Sequence, residues 1–211
     1  MNGIYAIKPK FQAILKPVEA FLIACRIHPD TITISALLLS VAGAAALAVS
    51  SQAGLLWMLL STPLVALGRT VLNALDGMVA KDTGVARPWG EVLNEFSDRM
   101  ADVALFAGLA CSRLCNGQLM LASLISVLLA SYLGTVSRAA GGPRQYGGIM
   151  GKADRMILLA LLGPLTFVLV NAGICKAQVV LDAFAMLVLT GSVITIVQRA
   201  KKTHADLKST H

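Results

Sequence analysis

The sequence predicts an all-α integral membrane protein, a bundle of six transmembrane helices preceded by an N-terminal amphipathic helix at the membrane interface. Two observations predict this fold. Hydrophobic residues make up 56% of the 211 positions and charged residues only 14%, whereas soluble domains carry about 25% charged residues. The Lys and Arg residues also lie almost entirely in every second connection between the apolar stretches, as orientation-determining charges do in membrane proteins.

Six apolar stretches are long enough to cross the hydrocarbon core, which takes about 20 residues of helix. They cover residues 31–51, 54–75, 90–111, 118–138, 154–172 and 178–198. We therefore expect a juxtamembrane segment at 1–30, a six-helix transmembrane domain at 31–198 and a basic cytoplasmic tail at 199–211. Residues 10–26 fit either an amphipathic helix lying on the membrane surface or a short helix packed on the bundle.

The distribution of basic residues predicts the topology. If all six stretches span, only Arg113 and Lys176 fall on one face of the membrane. The other face receives Lys8, Lys10, Lys16, Arg26, Arg69, Lys81, Arg87, Arg99, Arg138, Arg144, Lys152, Arg155, Arg199, Lys201, Lys202 and Lys208. Both termini are therefore expected in the cytoplasm, at the inner membrane of a bacterium. The net charge of +7 then faces anionic lipid or phosphate rather than nucleic acid.

Six of the 11 acidic residues fall within residues 76–102, several of them inside the second and third predicted helices. A charge at the centre of a spanning helix costs about 2.5–3.5 kcal/mol on insertion scales, so we expect this cluster to face a polar cavity and bind a positive ligand. Asn73 and Asp76 share one face of the second helix, and Asn94, Asp98 and Asp102 share one face of the third. Their oxygens suit Mg²⁺, Mn²⁺ or Ca²⁺.

A specific motif runs through this region. Residues 73–98 read NALDGMVAKDTGVARPWGEVLNEFSD, and their spacing matches D-x2-D-G-x2-A-R-x8-G-x3-D-x3-D, so the chain resembles the CDP-alcohol phosphotransferase family. The flanks agree with the resemblance. Arg69 stands four residues before the motif, Asp98-Arg99 is followed by Ala101-Asp102, and Pro29-Asp30-x-Ile-Thr resembles the PNxxT that opens the family's core. The resemblance covers nearly the whole chain.

The resemblance implies an enzyme of phospholipid biosynthesis. Such an enzyme transfers a phosphatidyl group from CDP-diacylglycerol, or another CDP-linked lipid, to an alcohol acceptor and releases CMP. The resemblance also implies two divalent metals, Mg²⁺ or Mn²⁺, on the diphosphate, and a homodimer among the membrane lipids. By the match, Asp98 is the base that deprotonates the acceptor hydroxyl. The metal-ligand positions are Asn73, Asp76, Asn94 and Asp98. The contacts to cytidine and diphosphate are Gly77, Ala80, Lys81 and Gly90.

The chain departs from the family's motif at three positions. Asn73 and Asn94 replace the first and third Asp, and Lys81 replaces the Arg. Asn offers a carbonyl oxygen but no charge. We therefore expect the site to hold one metal ion, or two that bind weakly. Glu95 and Asp102 restore charge if they turn inward. The alternative function is a catalytically weakened or silent member of the family that binds lipid or nucleotide, and a cation-binding transporter is a third interpretation.

The glycine-rich loop after the fourth helix, SRAAGGPRQYGGIMGKADR, is the second candidate site. Glycines let a ligand approach the backbone, and cations attract phosphate. We expect a phosphorylated acceptor or a lipid headgroup to bind Arg138, Arg144, Lys152 and Arg155. Basic residues that only set the topology are the alternative. The acceptor itself is open among glycerol phosphate, inositol phosphate, serine and simple alcohols.

Overall fold

A computed structural model describes residues 8–208, and within that range the helices are joined by turns and loops, without a strand. Seven α-helices follow one another: α1 Lys8–Ala24, α2 Pro29–Val49, α3 Ser61–Asp82, α4 Pro88–Cys111, α5 Gly117–Ala139, α6 Lys152–Asn171 and α7 Ala177–Lys208. A 3-10 helix, Leu56–Leu60, leads directly into α3. Residues 1–7 of the predicted juxtamembrane segment and residues 209–211 of the predicted tail lie outside the described range.

Within residues 8–208, five helical segments are long and apolar enough to cross a membrane, and each overlaps a predicted span. They are Pro29–Val49, Leu56–Asp82, Gly117–Ala139, Lys152–Asn171 and Ala177–Lys208. The remaining predicted span is α4, whose 24 residues would reach about 36 Å. It is less apolar than the other five because it carries five charged residues, Glu91, Glu95, Asp98, Arg99 and Asp102.

Two helix ends differ from the expectation. The second predicted span, 54–75, continues as α3 to Asp82, and the chain turns only at Gly84, which has a φ of +70°. A left-handed backbone of this kind commonly ends a helix at glycine. The predicted tail does not separate from the bundle at residue 199, because α7 continues to Lys208 through a stretch without Gly or Pro.

Local caps fix where two helices begin. The Nδ1 atom of His28 accepts a hydrogen bond from the amide of Asp30 over 3.2 Å, and Pro29 takes the first position of α2, which needs no amide donor. At α6, the carboxylate of Asp154 accepts a hydrogen bond from the Gly151 amide over 2.8 Å, which is the reciprocal half of a capping box. This cap makes Lys152 the first residue of α6.

Close helix crossings hold the bundle together. A Cβ atom at Gly108 of α4 would lie 2.5 Å from the carbonyl oxygen of Ala44 on α2, so only glycine permits this approach. The amide of Gly163 on α6 donates to Thr62 Oγ1 on α3 over 3.1 Å. These contacts align α2, α3, α4 and α6, and the apolar core between the helices includes Leu47, Leu59, Leu105, Leu109, Val127, Leu159, Leu181 and Val188.

Helix α1 packs along the end of α3. Leu15 is buried in a small cluster with Ile32, Leu75, Met78 and Val79. The ammonium of Lys16 lies 2.8 Å from Asp82 Oδ2, and this hydrogen bond raises the pKa of Lys16 above its usual value. Packing on the bundle is thus observed. The opposite side of α1 exposes an apolar stripe with the helical spacing of one face, formed by Ile14, Val18 and Phe21.

Candidate active site at the α3–α4 end of the bundle

The two halves of the motif meet where α3 ends and α4 begins. Asn73 and Asp76 lie on α3, and Asn94 and Asp98 lie on α4. Asn73 Nδ2 donates to Asp98 Oδ1 over 3.0 Å, and Asn94 Nδ2 donates to Asp76 Oδ2 over 3.2 Å. The four predicted metal-ligand side chains therefore converge, and each amide bonds to the carboxylate on the other helix.

Asp76 is held by uncharged donors. Its side chain is buried, at 3% exposure. Thr33 Oγ1 on α2 donates to its Oδ2 atom over 2.8 Å, and the amide of Gly77 donates to its Oδ1 atom over 2.6 Å. With the amide of Asn94, these donors fix the carboxylate without neutralising it, so Asp76 keeps its attraction for a cation.

Asp98 lies among cations instead. The ammonium of Lys152 is 2.6 Å from each of its two carboxylate oxygens. The guanidinium of Arg69 is 3.7 Å from Oδ1, and that of Arg99 is 3.8 Å from Oδ2. The two motif carboxylates thus have opposite surroundings although they lie side by side.

Asp102 forms a buried ion triad with two arginines. Its oxygens accept hydrogen bonds from Arg69 over 3.1 Å and from Arg155 over 3.0 Å, and Asp102 and Arg69 are each 1% exposed. Arg69 also donates to the backbone carbonyl of Asp98 over 3.3 Å. Asp102 therefore ties α3, α4 and α6 together. It does not turn toward Asn94 to restore motif charge, because its own charge is already matched by arginines.

Glu95 also has cationic partners. It is hydrogen-bonded to the guanidinium of Arg144, and Arg99 lies 3.5 Å from its Oε1 atom. The expectation that Glu95 turns toward Asn94 is therefore not met. Glu95 lines the same cavity as Asn94 and Asp98, but two nearby guanidinium groups already pair with its carboxylate.

A first cavity, the motif cavity, opens beside Asp76. It has a volume of about 450 Å³, and its wall contains all four residues predicted to contact cytidine and diphosphate, namely Gly77, Ala80, Lys81 and Gly90. Among the described residues, nothing outside the backbone of its own helix and its chain neighbours lies within 4 Å of where a Cβ of Gly77 would be, so a ligand has room to approach there. His28, Asp30 and Arg87 complete the rim, and Arg87 is hydrogen-bonded to Asp30.

A second cavity, the loop cavity, opens beside Asp98 and has a volume of about 410 Å³. Its wall contains all four cations predicted for an acceptor or headgroup phosphate, namely Arg138, Arg144, Lys152 and Arg155. Arg138 lies 3.2 Å from Glu91, and both of these residues also line the motif cavity. The two cavities share the Asn94 side chain as well. Asp76 and Asp98 thus face adjoining cavities.

The donor set fits a hard divalent cation. Among residues 8–208, no three His, Cys, Asp or Glu side chains converge as a metal-ligand group, because Asn73 and Asn94 stand where the family has Asp. Two carboxylates and two amides remain, all of them able to offer oxygen. A half-turn of either amide exchanges its nitrogen and oxygen and aims the oxygen at an ion. Mg²⁺ and Mn²⁺ suit such oxygens.

Several residues of the site were not predicted as site residues. Thr33 is the Thr of the PNxxT-like segment, which precedes the motif in the sequence. Arg99 is hydrogen-bonded to Ser131 of α5. It belongs to the Asp98-Arg99 pair at the end of the motif, whose sequence agrees with the family. Arg87 and Arg199 were counted only as topology charges. Arg199 donates to the Gly147 carbonyl over 2.8 Å and thereby ties the glycine-rich loop to α7.

Comparison with known proteins identifies relatives over most of the chain. No family model matches the sequence. The inner membrane protein YnbA of Escherichia coli is 34% identical over 160 residues, which cover 76% of this chain and 78% of that protein. The phosphatidylinositol phosphate synthase of Mycobacteroides abscessus is 32% identical over 164 residues, covering 75% and 71%. That of Streptomyces avermitilis is 29% identical over 197 residues, covering 90% and 77%.

Solved structures agree in fold. The crystal structure of the Mycobacterium tuberculosis phosphatidylinositol phosphate synthase with CDP-DAG bound matches with a TM-score of 0.73 at 25% identity, covering 90% of this chain and 94% of that one. The same synthase in complex with manganese and citrate matches with a TM-score of 0.71 at 25% identity, covering 89% and 87%. Together with the spaced motif that closes the α3–α4 site, these relatives show that the chain is a multi-pass membrane protein of the CDP-alcohol phosphotransferase family.

Proposed function

We propose that this chain is a phospholipid-synthesising transferase that moves a phosphatidyl group from CDP-diacylglycerol to an alcohol acceptor and releases CMP. The observation that carries the proposal is the convergence of Asn73, Asp76, Asn94 and Asp98 between two adjoining cavities. The synthase with CDP-DAG bound, which shares the fold over 90% of this chain, supports the choice of donor lipid.

The two cavities suit the two substrates. Cytidine and diphosphate fit the motif cavity, where Gly77 leaves space beside the backbone and the exposed Lys81 offers a positive charge. The acceptor fits the loop cavity, and because Asp98 lines that cavity, an acceptor bound there would have its hydroxyl beside this carboxylate. The acceptor oxygen forms the new bond to the phosphatidyl phosphorus, the bond from that phosphorus to CMP breaks, and the hydroxyl proton passes to the carboxylate of Asp98.

A divalent ion, Mg²⁺ or Mn²⁺, would be held at the four motif positions, Asn73, Asp76, Asn94 and Asp98. Asp76 would be its main carboxylate ligand, because its hydrogen-bond donors are all uncharged. When bound, the ion neutralises the charge of the diphosphate and of the departing CMP. The complex of the synthase relative with manganese supports this choice. The residues of the chain do the remaining work, because they orient the two substrates and receive the proton.

The loop cavity supports an acceptor that carries a phosphate. Arg138 and Arg144 are paired there with Glu91 and Glu95, and an incoming phosphate can replace these carboxylates as the partner of the guanidinium groups. Lys152 lies deeper, on Asp98. Arg155 also lines the cavity, but it is held by Asp102 and therefore supports the wall.

We expect the purified protein to release CMP from CDP-diacylglycerol only when Mg²⁺ or Mn²⁺ and an acceptor are present. The assay measures CMP by chromatography and the new lipid by mass spectrometry across a panel of glycerol phosphate, inositol phosphate, serine and simple alcohols. Phosphorylated acceptors should react fastest because of the cations around the loop cavity. Full CMP release after exhaustive chelation would contradict the metal assignment.

The silent alternative rests on a specific observation, since Asn73 and Asn94 halve the carboxylates of the motif. It predicts that CDP-diacylglycerol binds without turnover. If the native protein binds this lipid but makes no product with any acceptor in the panel, the transferase proposal fails and the silent function replaces it.

We also propose that α4 spans the membrane, which gives six spans with both termini, the active site and the basic end of α7 in the cytoplasm. The contacts at the two ends of the bundle support this topology. Lys152 and Arg144 of the loop cavity reach Asp98 and Glu95 in the first half of α4. At the opposite end, the amide of Asn116 donates to Asp182 at the start of α7 over 2.7 Å. An α4 that did not cross would separate these partners.

Cysteine labelling tests this topology in a background in which Cys25, Cys111, Cys115 and Cys175 are replaced. A cysteine at Gly147, where no atom lies within 4 Å of the added Cβ, should resist a membrane-impermeant maleimide in intact cells. A cysteine at Lys176 should react. After the membrane is permeabilised, both should react, which is the control for accessibility. The reversed pattern in intact cells would overturn the orientation, and reaction at both sites would overturn the number of spans.

Two further features complete the proposal. The apolar stripe of Ile14, Val18 and Phe21 on α1 suits contact with the membrane interface while the other side of α1 packs on α3. The family resemblance implies a homodimer. Light scattering of the protein in detergent measures this oligomeric state directly.

A further inference from the structure

We propose that the ammonium group of Lys152 replaces the second divalent ion of the site, so that this chain holds a single metal ion on the Asp76 side. This inference rests on the proposed function and deepens it. It concerns the division of positive charge between the protein and the metal, which the departures at Asn73 and Asn94 make different from that of an all-Asp motif.

The charge of the motif matches one divalent ion and not two. An all-Asp motif supplies four carboxylates, whose negative charge equals the positive charge of two divalent ions. Asp76 and Asp98 supply two, which equals the charge of one ion. A second ion in this chain would stand without carboxylate compensation and would meet the charge of Lys152 in addition. Like charges at such short range repel strongly because the surroundings are partly buried.

The carboxylates of Asp76 and Asp98 differ in their hydrogen-bond partners. Lys152 donates to both oxygens of Asp98 at 2.6 Å, and Asn73 donates to one of them over 3.0 Å. Asp98 therefore already has a cation and a neutral donor in the directions that a metal ion would use. Asp76 has only uncharged hydrogen-bond donors among the described residues, which are Thr33, Gly77 and Asn94. A divalent ion thus finds an uncompensated charge at Asp76 and a compensated one at Asp98.

The start of α6 sets the position of Lys152. Lys152 begins α6, and the Asp154–Gly151 cap sets that start. One turn further along α6, Arg155 binds Asp102 over 3.0 Å, just as Asp102 lies one turn beyond Asp98 on α4. Two parallel ion pairs therefore hold the start of α6 against α4. These contacts hold the ammonium of Lys152 at Asp98, with its side chain 33% exposed where it lines the loop cavity.

A fixed ammonium and a metal ion differ in consequence. The lysine contributes one positive charge that does not exchange with solution, whereas an ion is lost when the free metal concentration falls. The chain should therefore bind Mn²⁺ in a single saturating step. The electron paramagnetic resonance spectrum of the bound Mn²⁺ should be that of an isolated ion. Two ions about 3.5–4 Å apart, as in two-metal sites, would give a spin-coupled spectrum.

The test counts Mn²⁺ bound to the whole chain in nanodiscs that contain CDP-diacylglycerol, by equilibrium dialysis and electron paramagnetic resonance. Four proteins are compared: native, Lys152→Met, Asn73→Asp with Asn94→Asp, and all three changes together. The native chain should bind one ion per chain. The double Asp variant should also bind one, roughly 10-fold more tightly, which corresponds to the 1.4 kcal/mol of a tenfold change. The triple variant should bind two, with a coupled spectrum.

Lys152→Arg combined with the two Asp changes is the matched control, because it keeps the cation and should keep the single ion. Two ions in the native chain, or one ion in the triple variant, would overturn the inference. CMP release is measured on the same samples. If Mn²⁺ binds as expected but no variant releases CMP, the transferase proposal fails while the charge assignment of Lys152 holds. If no Mn²⁺ binds to the native chain, the inference fails.

Discussion

Replacing Asp98 with Asn is expected to lower the rate of CMP release by about 10²–10⁴-fold, the usual loss when a general base is removed. Asp98 lines the loop cavity, so its carboxylate can receive the proton of an acceptor hydroxyl bound there. Asn has the same size and still offers an oxygen to Lys152, but it cannot take up the proton. Binding of CDP-diacylglycerol in the motif cavity should persist. Single-turnover CMP release and separate lipid-binding measurements distinguish the two effects.

Asp182→Asn is the matched control for this substitution. Asp182 lies at the opposite end of the bundle, where its Oδ1 atom accepts a hydrogen bond from the Asn116 amide over 2.7 Å, and an Asn side chain keeps such an acceptor. The same chemical change should therefore leave CMP release unchanged. An Asp98→Asn protein that keeps the native rate would show that Asp98 is not the base, and the proton would then have to pass to another group of the loop cavity.

The sequence predicted the meeting of the motif halves because helical periodicity fixes which side chains share a face. Asn73 and Asp76 are three residues apart, and Asn94 and Asp98 are four apart, so each pair lies on one side of its helix. The loop at 83–87 then brings the two faces together. The family resemblance, and not helical periodicity, implied Gly77, Ala80, Lys81 and Gly90 as ligand contacts, and all four line the motif cavity.

The partners of the remaining acidic residues could not be predicted from spacing. Asp102 continues the Asn94–Asp98 face by one turn, yet Arg69 and Arg155 take its carboxylate. Glu95 binds Arg144 of the loop. These pairings depend on how α6 and the glycine-rich loop lie against α4, and that contact spans some fifty residues of sequence, between 95 and 144 and between 102 and 155. No local sequence pattern predicts a contact between residues so far apart in the chain.

The number of spanning helices shows a second limit of sequence reasoning. Hydropathy treats every charge in α4 as unfavourable, and α4 is accordingly absent from the apolar helices. The structure shows that Glu95, Asp98 and Asp102 point into cavities or toward cations. Intramembrane charges are tolerated when they face such an interior. The distribution of basic residues depends only on which connection carries a charge, so it supports the proposed sixth span independently of the hydropathy of α4.

Asp102→Asn is expected to lower the free energy of unfolding by about 3–5 kcal/mol, because it leaves the buried charges of Arg69 and Arg155 without their partner. Both arginines lie within 3.1 Å of Asp102, and all three side chains are nearly fully buried. Asn keeps the shape of the side chain, so lost volume contributes little. Thermal unfolding in detergent, followed by the loss of the monodisperse protein, measures the effect, and Asp182→Asn again serves as the control.

Removing the whole triad separates the ion network from simple packing. With Asp102→Leu, Arg69→Met and Arg155→Met combined, no buried charge remains unpaired, and such replacements are often neutral or stabilising. The free energy of unfolding of the combined variant should therefore lie within about 1 kcal/mol of the native value. It should be well above that of Asp102→Asn. CMP release should nevertheless fall, because Arg69 no longer donates to the Asp98 carbonyl and the start of α6 loses one of its two ion pairs with α4. Native stability in Asp102→Asn would mean that the arginines find other partners and that the triad does not hold these helices together.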